Sequence, residues 1–413
     1  MADIRRIEHL NAHHDVYAFL ITASFFVSQS RALQFLPGYK ELARVPFGNL
    51  RLLVSVQMLS LSLRTTIKST KLQKLLSRTL ASSSIMATPN IQQAIVQPDI
   101  MSTAVEMTTN PVPVAKPSTT EHLIRVRTTA ITKGELLWSR YFDIKGDDKV
   151  LVPCNDVAGT VVTAPQDSPF QPGTEVYARS SYSRTGCARK YTILLTEEMA
   201  KRPQNLTWAE SAVVPMSAET AWQALFEHAG LEAKASEGAK GKRVFVTGAS
   251  GGVGVWMVQL AKWAGAHVIA TCGAANVEWV KSLGADEVLD YAKTDVKQWA
   301  SQEGNRADVV IDCIGQKSLE DAWNVVKEGG ILMSIAQPPE QVKPKDIGGN
   351  IKNFFFIMNP NGEQLGRITE LIELGVGKPA LDSVFPFDQF QEAFKRLETG
   401  RTRGKVVLDL SID

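Results

Sequence analysis

The stretch Arg243-Val-Phe-Val-Thr247 followed by Gly248-Ala-Ser-Gly-Gly-Val-Gly254 constrains this chain more than any other. A short β-branched run ends abruptly in small residues. An apolar helical pattern then begins at once with Val253, Trp256, Met257, Leu260 and Ala261. Small residues at a helix start leave backbone N–H groups bare, as a pyrophosphate requires. Gly251 lets the chain approach such an anion, and Gly254 lets the helix pack close on the strand. Ala249 replaces the first glycine of the G-x-G-x-x-G pattern. Alone, the loop is also what a tight strand-to-helix turn looks like. A second strand at residues 267–271 closes a βαβ unit of about 30 residues and favours dinucleotide binding.

The chain has 413 residues, enough for two or more domains, and a formal net charge of +2. That near-neutral balance implies no nucleic-acid partner. The four cysteines, Cys154, Cys187, Cys272 and Cys313, form no C-x-x-C pair. Their spacing fits neither a disulfide framework nor a structural zinc lobe and suits a reducing compartment.

The first part of the chain differs from the rest. Residues 42–98 hold no Asp or Glu, yet include Arg44, Arg51, Arg64, Lys68, Lys71, Lys74 and Arg78. Leu72, Leu76 and Leu80 fall on one side of a helical wheel and Arg64, Lys68, Lys71 and Arg78 on the other. This composition is that of a mitochondrial transit peptide. Asp3, Glu8 and Asp15 at the extreme N-terminus speak against one, so a disordered extension, or a start at Met86, stays open. The apolar run 16–27 is too short to cross a bilayer. The expected location is cytoplasmic, or mitochondrial if this extension acts as a signal.

Beyond Ile91 the pattern is that of a folded domain. Residues 121–127 alternate apolar and polar side chains as a half-buried strand does. Residues 150–153, 158–163 and 171–177 continue a strand-rich region with a Pro172-Gly173 turn. Thr207-Trp-Ala-Glu210 reads as a capping box, and residues 217–231 as one helix. Strands at 244–247, 268–271, 287–289, 309–312, 331–335 and 354–357 then alternate with helices, which predicts a parallel sheet covered on both faces. A helix at 389–398 and a strand at 405–410 close the chain.

These features together resemble the medium-chain dehydrogenase/reductase superfamily, in its zinc-independent quinone oxidoreductase-like and enoyl reductase-like branch. The resemblance rests on Pro153-Cys-Asn-Asp-Val-Ala-Gly159, the Pro-Gly-Thr-Glu-Val turn and Thr220-Ala-Trp222. It extends through the glycine loop, Ser282-Leu-Gly-Ala-Asp286, Asp312-Cys-Ile-Gly315 and residues 400–407. It implies an α/β fold, a Rossmann doubly wound parallel sheet inserted into a GroES-like β-barrel catalytic domain. The expected divisions are an N-terminal extension (1–88), the catalytic domain (89–218), the nucleotide domain (219–377) and a return to the catalytic domain (378–413).

The resemblance also implies a nicotinamide dinucleotide held by Ala249, Ser250, Gly251, Gly252, Val253 and Gly254. Thr271, Asn276, Tyr291, Ile314, Ile335, Arg403 and Lys405 complete that set. Cys313, Ser334 and residues 354–356 are expected to line the nicotinamide side through main-chain atoms and apolar walls. No carboxylate follows the second strand until Glu278, which removes repulsion against a 2′-phosphate and favours NADPH. Related reductases carry a basic residue near Asn276; Tyr291 and the turn with Arg401, Arg403 and Lys405 are expected to compensate.

By the same resemblance the zinc-ligand positions fall on Thr132, Asn155 and Met216. A hydroxyl, an amide and a thioether make a poor zinc site, so no metal is expected. Without a Lewis acid, reducing an electrophilic acceptor is easier than oxidising an unactivated alcohol. The expected activity is NADPH-dependent hydride transfer to a quinone or an α,β-unsaturated carbonyl. An enoyl thioester reductase and a non-catalytic NADP(H)-binding adaptor are the alternatives. Lys133, Tyr141 and Tyr182 are candidate proton donors, Cys272 and Cys313 read as packed residues, and a homodimer through the nucleotide domain is implied.

Overall fold

The computed structural model describes residues 88–142 and 150–411. The expectations for the N-terminal extension lie outside these residues, apart from Thr88.

The first strands are β1 (Ile91–Val96), β2 (Glu106–Pro111), β3 (Glu121–Ile131), β4 (Asp156–Thr163), β5 (Glu175–Arg179), β6 (Tyr191–Leu195) and β7 (Met199–Lys201). Two helices follow, α1 (Trp208–Ala212) and α2 (Pro215–Trp222). The alternating unit runs β8 (Arg243–Val246), α3 (Gly252–Trp263), β9 (His267–Cys272), α4 (Val277–Ser282), β10 (Glu287–Asp290), α5 (Val296–Ala300), β11 (Ala307–Asp312), α6 (Gln316–Val325), β12 (Val326–Ser334) and β13 (Lys352–Phe355). The chain closes with α7 (Gly362–Glu373), β14 (Leu381–Pro386), α8 (Phe390–Glu398) and β15 (Lys405–Asp409).

The parallel sheet has the order β10-β9-β8-β11-β12-β13. Its strands are apolar on both faces because each face has its own core. Val244, Val246, Val268 and Ala270 pack with Trp256, Met257 and Leu260 of α3. The intervening Phe245 and Ile269 join Val310 and Leu332 in a second cluster with Leu319, Ala322 and Trp323 of α6. This division of alternate residues is what a doubly wound sheet requires.

The barrel-type sheet has the order β14-β15-β3-β4-β5-β7, with β6 also pairing β3. Its central strand β3 buries His122, Leu123, Ile124 and Val126 and exposes Arg125, so the expected alternation holds only from Ile124 to Arg127, because the first residues are covered on both faces. Late in the chain, β15 returns to pair antiparallel with β3, Val407 opposite Ala130. The nucleotide sheet is thus inserted into the barrel lobe, as expected.

Two local expectations need correction. Residues 150–153 form no strand, because Pro153 lacks an N–H and Cys154 turns the chain with a φ of 66°. Residues 217–231 are not one α-helix: α2 passes into a π-helical turn at Gln223–His228. Gln223 anchors that change, its side chain donating to Asn359 O at 2.7 Å and accepting from Asn359 N at 3.1 Å. The capping box forms as read, Glu210 N donating to Thr207 Oγ1 at 3.2 Å. Among the described residues no helix is long and apolar enough to cross a membrane.

Candidate functional site

The glycine loop leaves β8 at Val246 and enters α3 at Gly252, whose N-terminus has no side-chain cap. Its first amides are therefore free to meet an anion. Gly248 takes φ 62°, and Ala249 N donates to Thr271 O at 2.9 Å, which ties the turn to β9. A Cβ on Gly254 would lie 2.3 Å from Gly248 O, so only glycine lets the helix rest on its own entry turn. At Gly252 a Cβ would lie 2.9 Å from Ser217 Oγ and 3.0 Å from Lys405 Cγ. The barrel lobe therefore reaches the loop directly, and Gly404 N donates to Ser250 O at 3.0 Å beside it.

At the far end of β9, a Cβ on Gly273 would lie 3.3 Å from the Tyr291 hydroxyl. The Arg403 guanidinium lies 4.7 Å from the centre of the Trp279 ring, and its Nε donates to Asn276 Oδ1 at 3.0 Å. Thr271, Asn276, Tyr291 and Arg403 are thus gathered around the end of β9. Arg401 is exposed, and its carbonyl accepts from Arg396 at 3.4 Å.

A buried carboxylate not among the expected site residues organises the same carboxyl edge of the sheet on the far side of β8. Asp312 accepts from Thr247 Oγ1 at 2.7 Å, Gly315 N at 2.7 Å and Ser334 Oγ at 3.1 Å. It joins the carboxyl ends of β8, β11 and β12, where ligands bind in open α/β sheets. Ile335 N donates to Asp312 O at 3.1 Å, and Ile314 lies over Gly248 while remaining 57 % exposed. Phe355 and Ile357 are also exposed, giving this edge an apolar wall.

The barrel side presents charge. Lys405, expected among the cofactor residues on a basic turn, is buried rather than solvated. Its stem lies on Gly252, but its ammonium turns into the barrel lobe, 2.8 Å from Asp156 Oδ2, and donates to Thr132 Oγ1 at 2.6 Å. Both charged side chains are buried, so each needs the other. Asp156 Oδ1 accepts from Met216 N at 2.7 Å, and Thr132 Oγ1 donates to Met216 Sδ at 3.5 Å. Asn155, whose Nδ2 donates to Ser180 Oγ at 3.0 Å, is next in sequence to Asp156.

Glu135 lies beneath this cluster, accepting from Thr132 N and Cys154 N, both at 3.1 Å. Burial pushes its carboxyl up to about 7 against the opposing pull of those amides and of Lys405. Burial likewise raises the Cys154 and Cys313 thiols and brings Cys187 and Cys272 up to about 11. None is a thiolate near neutral pH, in keeping with packed residues rather than nucleophiles.

Of the candidate proton donors, Lys133 and Tyr141 do not join the cluster, while Tyr182 lines a pocket with Glu135 and Asn155. Tyr141 is 78 % exposed beyond the short helix Glu135–Arg140, and Lys133 is also in solvent. Tyr182 lies under the Arg179 guanidinium, 3.3 Å from its ring centre, and burial raises its phenol. A turn after β3 carries Lys133 outward while its neighbour Thr132 stays half-buried.

Residues 283–408 match the family model described as Zinc-binding dehydrogenase. A probable zinc-binding oxidoreductase, mitochondrial, of Arthroderma benhamiae is 49 % identical over 330 residues, covering 79 % of this chain and 99 % of the relative. A chloroplast envelope quinone oxidoreductase homolog of Arabidopsis thaliana is 35 % identical over 263 residues, 62 % of this chain and 79 % of the relative. The quinone oxidoreductase structure from Coxiella burnetii shares the fold, with a TM-score of 0.67, 22 % identity, and 78 % and 99 % of the two chains covered.

The family description implies zinc, and the residues present do not fit it. The positions matched to zinc ligands carry Thr132, Asn155 and Met216, and the Lys405 ammonium donates to the Thr132 oxygen that would have to bind the ion. A neutral hydroxyl already bound to a cation is a poor ligand for a dication. The fold, the glycine loop and these relatives together place the chain in the medium-chain dehydrogenase/reductase superfamily, in its quinone oxidoreductase-like branch.

Proposed function

We propose that the protein is an NADPH-dependent reductase that delivers hydride to a conjugated acceptor, an enone or a quinone, without zinc. The observation that supports this reading is the Lys405–Thr132–Asp156 cluster, built around Thr132, a position the resemblance matches to a zinc ligand. A hydroxyl and an ammonium stabilise charge that develops on a conjugated carbonyl, where delocalisation already lowers the barrier. They are poorly suited to forming a free alkoxide from a plain alcohol.

The bound nicotinamide supplies the hydride. Residues 249–254 hold its pyrophosphate on the uncapped start of α3. Asn276, Tyr291 and Arg403 would hold the ribose 2′-phosphate, Arg403 supplying from the C-terminal turn the cation that is missing after β9. Ile314, Ile335 and Phe355 would wall the nicotinamide, covering apolar surface that is otherwise exposed. A homodimer joined through the nucleotide lobe belongs to the same reading and is checked by light scattering.

Mitochondrial import is the better-supported location, from the acid-free basic segment at 42–98 and a relative named as mitochondrial. An import assay with the full chain tests it. The activity is tested by following NADPH oxidation against enones, quinones, enoyl thioesters and saturated aldehydes. Turnover with enones or quinones and none with saturated aldehydes is expected. A preference for thioesters would move the assignment to an enoyl thioester reductase, and coenzyme binding with no turnover would mark a non-catalytic binder.

A further inference from the structure

We propose that Thr132 is the catalytic residue that donates a hydrogen bond to the acceptor oxygen as it becomes anionic, and that Lys405 is the positioning residue that polarises it. This rests on the reductase reading above.

Thr132 Oγ1 accepts from the Lys405 ammonium at 2.6 Å, so one lone pair is held by a cation. Its own hydrogen is directed at Met216 Sδ at 3.5 Å. A thioether is a weak acceptor, and an enolate or phenolate oxygen displaces it readily. A cation on the oxygen side makes the hydroxyl a stronger donor, because successive hydrogen bonds polarise one another.

The placement agrees. Thr132 follows the end of β3 and is half-buried, and Lys405 runs from Gly252 in the phosphate loop to the Thr132 oxygen. Met216 is fixed by its amide on Asp156, and its neighbour Ser217 packs over the same Gly252. The hydroxyl therefore stands at the seam between the lobes, beside the loop that holds the coenzyme. Lys133 and Tyr141 face solvent, and Tyr182 is engaged under the Arg179 guanidinium, which leaves the Thr132 hydroxyl as the donor beside Gly252.

In the step, the C4–H bond of the reduced nicotinamide breaks with both electrons, and a C–H bond forms at the acceptor's β-carbon. The C=C pair shifts toward the carbonyl carbon, and the C=O π pair moves onto oxygen. The acceptor gains two electrons, the nicotinamide loses them, and the oxygen carries the negative charge that Thr132 meets. A proton from water then completes the product at the α-carbon. Thr132 and Lys405 keep their own protons throughout.

The test compares wild type, Thr132→Val, Thr132→Ser and the charge-neutral pair Lys405→Met with Asp156→Asn. In that pair Asn keeps an acceptor for Met216 N. Thr132→Val is expected to lower kcat with an enone by roughly a hundredfold, the loss typical of one removed oxyanion donor. The KM for acceptor and the fluorescence-measured Kd for NADPH stay within about twofold, and Thr132→Ser recovers most of the rate. The loss is smaller with a quinone, whose anion is already delocalised. Adding Thr132→Val to the Lys405/Asp156 pair costs little more, because both act through one hydroxyl.

A readout independent of turnover is the binding of p-nitrophenolate, an anionic mimic, to the NADP⁺ complex. Thr132→Val is expected to weaken it roughly tenfold, the worth of one hydrogen bond to a charge. Unchanged kcat and phenolate binding in Thr132→Val would overturn the proposal while leaving the reductase reading intact. A loss seen only in NADPH affinity would overturn it too, by assigning Thr132 to the coenzyme. Additive losses would remove Lys405 from it. A wild type that reduces no acceptor would overturn the reductase reading, and this proposal with it.

Discussion

The two walls of the cleft work by opposite means. On the nucleotide side, the loop acts through atoms that are missing: Gly254 has no Cβ to strike Gly248, and Gly252 has none to strike Ser217 or Lys405. On the barrel side, the site acts through side chains from distant parts of the chain. Thr132 comes from the end of β3, Asp156 from β4, Met216 from α2 and Lys405 from β15. The first kind of wall is local and tolerates no bulk. The second is assembled by topology and tolerates no broken pair. The difference predicts which substitutions unfold the protein and which merely empty it of coenzyme.

The largest effect should come from the barrel side. Lys405→Met leaves the fully buried Asp156 carboxylate without its cation, at a cost of about 3–5 kcal/mol in chemical denaturation. Adding Asp156→Asn should recover most of that loss. If Lys405→Met alone costs nothing, the pair is not what holds this wall.

Glu135 sharpens the contrast through pH. Burial raises its carboxyl from 4.5 to about 7, so the folded state holds a proton that the unfolded state releases earlier. Stability from this group is therefore greatest below about pH 4.5 and declines as pH rises to about 7. Relative to Glu135→Gln, wild type should lose about 3 kcal/mol across that window, as read from urea unfolding at a series of pH values. A constant difference between the two proteins would show that Glu135 titrates alike in the folded and unfolded states.

On the nucleotide side the expected stability effect is smaller and the binding effect complete. Gly254→Val forces the start of α3 away from Gly248, costing about 1–3 kcal/mol as an overpacked site. It should abolish the fluorescence change on adding NADPH while the protein remains folded by circular dichroism. Retained coenzyme binding would break the comparison, since a side chain would then fit where only backbone should.

The smallest effect is expected at the rim. Arg403 is exposed, stacked on Trp279 and bonded to Asn276. Arg403→Ala should raise the Kd for NADPH about tenfold, as for one charge-assisted hydrogen bond, and leave the Kd for NADH unchanged. Equal losses for both coenzymes would take Arg403 off the 2′-phosphate.

What the sequence made legible follows the same division. The glycine loop, the capping box at Thr207 and the alternating strands are written in consecutive residues, and each forms close to where its pattern lies. The parallel sheet follows from apolar runs that feed two cores, a property of each strand alone. The partnership of Lys405 with Thr132 spans 273 positions and exists only because β15 pairs with β3. No local pattern carries that information, so Lys405 read as part of a basic turn. Asp312 was visible as part of a resemblance, but its role in joining β8, β11 and β12 depends on strand order. The break at Pro153 was legible in principle, since proline removes an amide from any ladder, and was outweighed by the apolar residues around it.

The central claim is that this chain reduces a conjugated acceptor with its own side chains in the place of a metal. The most direct test is the rate of NADPH oxidation by an enone before and after exhaustive treatment with a zinc chelator, with bound zinc quantified in both samples. The account predicts the same rate in both and no stoichiometric zinc in either. One zinc per chain, whose removal abolishes turnover and whose return restores it, would contradict it.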